Sequence, residues 1–204
     1  MKSAKKENIT LLFLDAAHFV MGCDFLGYIY GKVRRFIKTY SGRKRYNVLG
    51  ALNFASKSMS TVVNDSYITA SEVCELLRKV AHEYTGTTIY IVLDNARYQK
   101  CKIVMALADE LGINLVYIPP YSPNLNLIER FWKHTKSKLR TKYYDVFSEF
   151  TDTIDSIIQN AGTIDKAAVD KLIGERVQLF PHVRVNTTRN NKTKRTTVKR
   201  RLAA

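Results

Sequence analysis

The chain has 204 residues, 46% of them hydrophobic and 11% aromatic, which is enough to bury a sizeable core in one domain with appendages. Its 33 Lys and Arg against 18 Asp and Glu give a net charge of +15, which predicts a polyanionic partner, above all nucleic acid. Asp15 interrupts the apolar run over residues 9–14, which is too short for a signal peptide or a membrane span, so the sequence argues against secretion and against a membrane partner.

The first quarter of the chain has the residue patterns of β-strands. Residues 9–14 are typical of a strand buried on both faces, and Asp15 follows at its end. Residues 25–30 and 46–54 are predicted as the second and third strands of an antiparallel meander. The connection between them carries seven positive charges and no negative one, including Arg43, Lys44 and Arg45, and forms either a solvated hairpin edge or a contact for nucleic acid.

After Asp65 the apolar period changes from two to 3.6 residues, which indicates helices. Thr69 and Glu72 have the spacing of a capping box, and an apolar stripe predicts a helix over residues 70–84. A strand over residues 88–93, a helix over 98–111 ended by Gly112, and a strand over 114–118 follow. The inward face of the second helix is predicted to contain Ile103, Val104, Leu107 and Leu111.

The next helix is predicted to begin with Ser122 as N-cap and Pro123 at the first helical position. Glu129 lies beside its apolar face, on a flank with positive charges, as a site that handles phosphate would require. The apolar face comprises Leu125, Ile128, Trp132 and Leu139, and the cations are Lys133, Lys136 and Arg140. The resulting order β-β-β-α-β-α-β-α predicts a mixed sheet with helices on both faces and parallel pairing where strands and helices alternate.

Three carboxylates are expected to meet at one edge of this sheet. Asp15 and Asp94 follow strands, and Glu129 is carried by the last helix. Acids within a few ångströms raise one another's pKa, and a divalent cation removes that conflict. Hard oxygen ligands suit Mg²⁺ or Mn²⁺, and two such ions ~3.5 to 4 Å apart can activate a water or hydroxyl for phosphodiester displacement. Singly, either aspartate is equally explained as a cap or turn residue.

The segments FLDAAHF, IVLDNARYQK and LVYIPPYSPNLNLIERFW resemble the three catalytic blocks of the IS630/Tc1/mariner superfamily of transposases, in particular its bacterial IS630 branch. The resemblance includes the 34 residues between Asp94 and Glu129 and an NVLGAL block around Gly50, and it spans about residues 9–139. It implies a ribonuclease H-like fold, cut-and-paste DNA transposition, and a triad of Asp15, Asp94 and Glu129. The chain has Ala16, Tyr98 and Leu127 where many relatives have Glu, His and Pro.

The function expected from this resemblance is that of a DDE transposase catalytic domain, dependent on two Mg²⁺ ions, with Mn²⁺ as a possible substitute, held by the triad. Its partners are transposon ends and target DNA, and a homodimer is expected in the active complex. Relatives carry helix-turn-helix modules ahead of the catalytic domain, so we expect a separate subunit or a missing N-terminal half to supply them. Candidate DNA contacts are Asn95, Asn126, Lys133, Lys136, Arg43, Lys44 and Arg45.

Beyond residue 145, two amphipathic helices are predicted, one around residues 147–158 and one over 164–179. The sequence leaves open whether they pack on the domain or mediate self-association. Residues 183–204 contain eight Lys and Arg and no acid, which predicts a tail disordered when free. The expected organisation is a leader over 1–8, the catalytic domain over 9–145, a helical extension over 146–182 and the basic tail over 183–204.

Two other functions remain open from the sequence. The chain is alternatively a catalytically inactive DNA-binding remnant, or a host nuclease with the ribonuclease H-like fold, although such a nuclease is not expected to carry the PPYSPNLN run. Asn95 and Asn126 either orient the neighbouring carboxylates, contact phosphate or simply form turns. Three cysteines without metal-ligand spacing, Cys23, Cys74 and Cys101, indicate reduced thiols and hence a cytoplasmic protein, bound to the bacterial nucleoid when on DNA.

Overall fold

The computed structural model describes residues 8–21, 44–119, 125–164 and 166–174. Within these residues one mixed sheet contains the strands β1 (Ile9–Val20), β2 (Arg45–Asn53), β3 (Met59–Asn64), β4 (Thr88–Leu93) and β5 (Asn114–Tyr117). Their order across the sheet is β3-β2-β1-β4-β5. The pairs β1–β2 and β2–β3 are antiparallel, whereas β1–β4 and β4–β5 are parallel, as the alternation of strands and helices predicts. The antiparallel and parallel halves of the sheet therefore meet at β1.

Helices cover both faces of the sheet. They are α1 (Ala70–Glu83), α2 (Lys102–Glu110), α3 (Ile128–Leu139), α4 (Phe147–Asn160) and α5 (Lys166–Gly174). Successive side chains of a strand point to opposite faces, and on β1 both faces are buried. Leu12 and Leu14 belong to a core shared with α1 and α2, whereas Phe13 and Phe19 belong to a core shared with α3, α4 and α5. This three-layer arrangement confirms the predicted α/β class.

The local signals of α1 are confirmed in detail. The Thr69 backbone N–H donates to the Glu72 carboxylate at 2.6 Å, and the Ser71 N–H donates to the Thr69 hydroxyl at 3.2 Å, which completes the capping box. Val73, Leu76, Leu77 and Val80 are all buried, as the stripe predicts. At the end of α2, Gly112 has a φ of 68°, the left-handed conformation that lets glycine end a helix.

Two predictions about the strands need correction. β1 continues to Val20, since its second half pairs with β2, so Asp15 lies within the strand and not at its end. The parallel pairing of β1 with β4 nevertheless ends at Phe13 and Val92, two residues before Asp15. β3 has no counterpart among the predicted strands, because it is an edge strand with Val63 45% exposed and therefore lacks a clear apolar pattern. The strand predicted over residues 25–30 lies outside the described residues.

Two predicted helix starts are also wrong. α2 begins at Lys102 and not at residue 98, because the Ala96 carbonyl accepts the Gln99 and Lys100 N–H groups in a preceding turn. Ile103, predicted to point inward, is 69% exposed, whereas Val104 and Ala108 are the buried residues of α2. α3 begins at Ile128, five residues later than predicted, and the predicted capping pair at residues 122 and 123 lies outside the described part of the chain.

The C-terminal helices pack on the domain. Ile154 and Ile158 of α4 and Val169 and Ile173 of α5 are buried in the same core as Phe131 of α3. Of the predicted second helix, the structure describes only α5, and the basic tail lies outside the described residues, as does Cys23. In the described part of the chain the thiols of Cys74 and Cys101 are free, and none of the helices there has the length and apolar character needed to cross a membrane.

Candidate active site

Asp15 and Asp94 follow the paired segments of the neighbouring parallel strands β1 and β4. Partners in this parallel pair differ by 79 in residue number throughout, from Ile9 opposite Thr88 to Phe13 opposite Val92. Asp15 and Asp94 also differ by 79, so each lies two residues beyond the last paired position of its strand. Asp94 is the first residue after β4, and its carboxylate accepts the Ala96 backbone N–H at 3.2 Å, which turns the chain away from the sheet.

Both aspartates belong to the face of the sheet that α3 covers. On β1, Asp15 lies between Phe13 and Ala17, which contribute to the core shared with α3. On β4, Val92 packs against the same core, and Asp94 is the next residue with that orientation. Glu129 is exposed in the first turn of α3, beside the buried Ile128, as predicted from the sequence. Strand alternation and helix placement thus direct all three acids to one side of the sheet.

Asn126 ties the start of α3 to β1. Its side chain is 1% exposed, and its amide nitrogen donates to the Leu14 carbonyl oxygen at 3.0 Å. The Asn126 backbone carbonyl in turn accepts the Glu129 N–H at 3.2 Å. One residue therefore connects the backbone next to Asp15 to the backbone of Glu129. The Asn126 amide is therefore enclosed by protein between β1 and the start of α3.

Asp15 has the most altered acidity at this site. Its pKa is raised from 3.8 to about 7, mainly by burial, with smaller contributions from the charges of Asp94 and Glu129. A hydrogen bond from the Ala16 N–H and the charge of Lys136 oppose this rise. The mutual repulsion shows that the three carboxylates are close enough to affect one another.

The aspartate charges also raise the pKa of two other side chains, Glu129 and Tyr98. The pKa of Glu129 is raised by burial and then by Asp94. Burial, followed by the charges of Asp94 and Asp15, raises the pKa of Tyr98 to about 12, and its hydroxyl accepts a hydrogen bond from the Gln99 amide at 3.5 Å. No role for Tyr98 was predicted from the sequence. Its place four residues after Asp94, in a catalytic block where many relatives have His, was the signal that could have identified it.

The donors at this site suit a divalent cation. They are carboxylate oxygens, the ligands that Mg²⁺ and Mn²⁺ prefer. Among the described residues, no three acidic, His or Cys side chains are grouped closely enough to hold one ion between them. The residues therefore fit a metal by the chemistry of their donors, without forming a ready-made cage.

Some of the residues predicted to contact DNA lie near the three acids, and others lie elsewhere on the domain. Lys136 is half-buried near Asp15, with its ammonium 5.8 Å from the centre of the Phe19 ring, and Lys133 is exposed one turn after Glu129. Asn95 donates to the Ile118 carbonyl at 2.5 Å and accepts from Lys100 at 3.4 Å, so its amide holds the loop after Asp94. Lys44 and Arg45 are exposed at the start of β2, and Arg43 lies outside the described residues.

The fold is similar to that of Mos1 transposase. The Mos1 strand transfer complex matches with a TM-score of 0.56 and 12% identity over 85% of this chain and 56% of the Mos1 chain. The pre-cleavage Mos1 transpososome gives 0.55 and 12% over 85% and 57%, and the paired-end complex with the left transposon end gives 0.54 and 11% over 82% and 56%. The chain thus spans little more than half the length of the Mos1 chains that it matches, and at these identities the likeness shows the fold alone.

The ribonuclease H-like architecture predicted from the sequence is confirmed by this likeness. The sequence matches no curated protein. A family model described as DDE superfamily endonuclease matches residues 10–151, which are 142 of the 204 residues. The matched range contains Asp15, Asp94 and Glu129, the acids that the fold directs to one side of the sheet. The chain belongs to the DDE superfamily of endonucleases.

Proposed function

We propose that this chain is the catalytic domain of a DDE transposase that cleaves DNA at transposon ends and joins the freed ends to target DNA. The observation that carries the proposal is the placement of Asp15, Asp94 and Glu129 on the α3 face, close enough for Asp94 and Glu129 to raise the pKa of Asp15. Membership of the DDE endonuclease family supports it. So does the fold shared with Mos1, which was solved with a transposon end and as a strand transfer complex.

The proposed chemistry consists of two displacements at phosphorus. In cleavage, a water oxygen bonds to phosphorus and the bond to the 3′ oxygen breaks, and that oxygen takes up a proton, so the two fragments of the cut strand end in a 3′ hydroxyl and a 5′ phosphate. In strand transfer, the 3′ hydroxyl oxygen loses its proton and bonds to a target phosphorus, and the target's own 3′ oxygen leaves and is protonated to a new 3′ hydroxyl. Asp15, Asp94 and Glu129 orient the reacting groups between β1, β4 and α3, and the packed sheet beneath them fixes their positions.

Members of the DDE family use divalent metals, and we propose that the three carboxylates hold Mg²⁺, or Mn²⁺ in its place. When bound, such ions activate the attacking oxygen and stabilise the leaving oxygen. The protein's own cations then serve the DNA backbone. Lys136 lies next to the acids and Lys133 lies one turn after Glu129 on the exposed side of α3, where each can face a phosphate.

We further propose that the active complex is a homodimer and that a helix-turn-helix module, carried on another chain or segment, selects the transposon ends. Within the described residues, the exposed cations of α3 and of the start of β2 supply attraction to the DNA backbone. Contacts of this kind carry no sequence information. The catalytic domain alone should therefore bind DNA of any sequence.

The decisive experiment replaces Asp94 with Asn in the full chain. Asn is nearly isosteric and its side-chain oxygen can still accept the Ala96 N–H, so the turn after β4 should persist. We expect metal-dependent nicking of supercoiled DNA to fall by more than about 100-fold. The loss of a residue that only hydrogen-bonds to a metal ligand typically costs about 10–100-fold, and Asp94 is proposed as a ligand itself. DNA binding at low salt should stay within twofold of that of the unsubstituted chain.

The matched control is Asp109→Asn, which neutralises an exposed carboxylate near the end of α2 and should leave nicking unchanged. Retained nicking in Asp94→Asn would remove Asp94 from the mechanism. A chain that cuts RNA in RNA/DNA hybrids but not transposon-end DNA would instead be a ribonuclease H-like host nuclease. A chain that binds DNA without metal-dependent cleavage of either substrate would be an inactive remnant.

A further inference from the structure

Gly50 occupies the position on β2 directly opposite Asp15 and has no room for a side chain. A Cβ atom built on Gly50 would lie 2.8 Å from Cζ2 and 3.0 Å from Cη2 of Trp132, and 3.0 Å from Sδ of Met59. Carbon atoms in ordinary contact are about 3.5 to 4.0 Å apart. The absence of a side chain therefore lets the indole ring of α3 rest on the backbone of β2, next to the candidate active site.

Packing alone holds Trp132 in this position. The side chain is 4% exposed, and its ring meets Phe19 and Phe131 in edge-to-face contacts with centroid distances of 6.0 and 5.5 Å. Its indole N–H has no hydrogen-bond partner among the described residues. A hydrogen bond would direct the ring to one acceptor, whereas here the height of α3 above the sheet depends on how closely the ring approaches Gly50.

Asn126 provides a second attachment on the other side of Glu129. It precedes Glu129 by three residues and bonds to the Leu14 carbonyl, immediately before Asp15, whereas Trp132 follows Glu129 by three residues and rests on the strand partner of Asp15. Residues three apart are neighbours along one side of a helix. Both attachments therefore connect the backbone around Asp15 to the turns of chain on either side of Glu129.

We propose that the contact of Trp132 with Gly50 and the hydrogen bond of Asn126 to Leu14 form a clamp that sets the separation of Glu129 from Asp15. This inference rests on the proposed metal-dependent function. Gly50, Trp132 and Asn126 are positioning residues, because they act through the acids and do not touch the substrate. The clamp fixes the position of α3 relative to β1 and β2, so that little of the energy of metal binding is spent on moving α3.

The size of the effect follows from the geometry. Restoring a contact of about 3.5 Å to an alanine methyl at position 50 requires the ring, now 2.8 Å from that point, to withdraw by about 0.7 Å. A catalytic group misplaced by about 1 Å can cost about 100-fold in rate. We therefore expect Gly50→Ala to weaken Mn²⁺ binding by about 10-fold or more and to lower the rate of nicking at saturating DNA, while DNA affinity without metal stays within twofold.

The test measures Mn²⁺ binding to the full chain by titration calorimetry and by loss of the free-ion signal in electron paramagnetic resonance, together with thermal unfolding. Trp132→Phe in the Gly50→Ala background removes the outer ring atoms that meet the new methyl. The clamp predicts that this double variant binds Mn²⁺ more tightly than Gly50→Ala alone. If Gly50→Ala does not fold, Trp132→Phe carries the test by itself and should change Mn²⁺ affinity by at least threefold.

Gly162→Ala is the control, since a Cβ there would also be crowded, at 3.0 Å from the Ser58 backbone nitrogen, but its neighbours are Ser56 and Ser58 and not α3. It should lower the unfolding temperature and leave Mn²⁺ affinity within twofold. Equal weakening by Gly162→Ala and Gly50→Ala would reduce the effect to general destabilisation and overturn the clamp. Wild-type Mn²⁺ affinity in folded Gly50→Ala and Trp132→Phe would overturn it as well. No Mn²⁺ binding by the unsubstituted chain, or the same binding in Asp94→Asn, would overturn the proposed function and the clamp with it.

Discussion

At the scale of single residues, the acidity of Asp15 links folding to metal binding. Burial and two neighbouring carboxylates raise its pKa from 3.8 to about 7, so the folded chain holds a proton there that the unfolded chain releases above about pH 4. The contribution of Asp15 to stability is therefore most favourable below pH 3.8 and is lost as the pH rises toward 7. At the ordinary pH of the cell, the metal-free site is strained by its own charge.

This predicts how stability depends on pH in the absence of metal. Relative to Asp15→Asn, the unsubstituted chain in EDTA should lose up to roughly 4 kcal/mol of unfolding free energy between pH 4 and pH 7, at about 1.36 kcal/mol per pH unit of pKa change. Urea unfolding of both proteins across this range measures the difference. Adding Mn²⁺ at pH 7 should restore stability only to the unsubstituted chain. Parallel pH profiles for the two proteins would contradict the assigned acidity of Asp15.

At the scale of elements, α4 and α5 pack on the sheet that carries the candidate site. The Tyr46 hydroxyl on β2 donates to both carboxylate oxygens of Asp155 on α4, at 2.8 and 2.9 Å. Lys57, 5% exposed in the turn after β2, lies 3.4 Å from Asp170 of α5. Polar ties and a shared core thus connect these helices to the sheet, although the family match ends at residue 151.

A substitution in the core of α4 tests this dependence. Ile154 is fully buried, so Ile154→Ala should lower the unfolding free energy by about 2–5 kcal/mol through lost burial and a cavity. Ile103→Ala on α2 removes the same atoms from a side chain that is 69% exposed and should cost far less. Chemical denaturation of both variants gives the comparison. Equal costs would mean that α4 is not part of the cooperative core.

At the scale of the whole molecule, the net charge of +15 and the eight Lys and Arg of residues 183–204 predict DNA binding that weakens steeply with salt. Replacing these eight residues with Gln should lower the slope of log K against log salt by at most about 7, since each neutralised phosphate contributes about 0.9. Binding to a random duplex by fluorescence anisotropy, from 50 to 200 mM KCl, measures the slope. An unchanged slope would place the DNA contacts elsewhere on the chain.

Features that depend on residues close together in the chain were predicted more accurately than the others. The capping box at Thr69 and Glu72, the stripe of α1 and the stop at Gly112 are confirmed, because each depends on residues within a few positions of one another. The edge strand β3 escaped prediction, since only two of its six residues are buried and Val63 is exposed, which leaves no clear apolar period. The predicted helix starts at residues 98 and 123 were too early, because turns of the chain precede α2 and α3.

By itself the sequence determined which residue types are available for chemistry and the order of the elements that carry them. Its motifs predicted Asp15, Asp94 and Glu129 as candidate catalytic acids, and it placed Glu129 correctly beside a buried helical face. Only the tertiary structure decided that Asp15 lies within a strand opposite Gly50, and that Trp132 of α3 rests on that glycine. The physical reason is that register and close packing depend on contacts between residues far apart in the chain, which local periodicity does not encode.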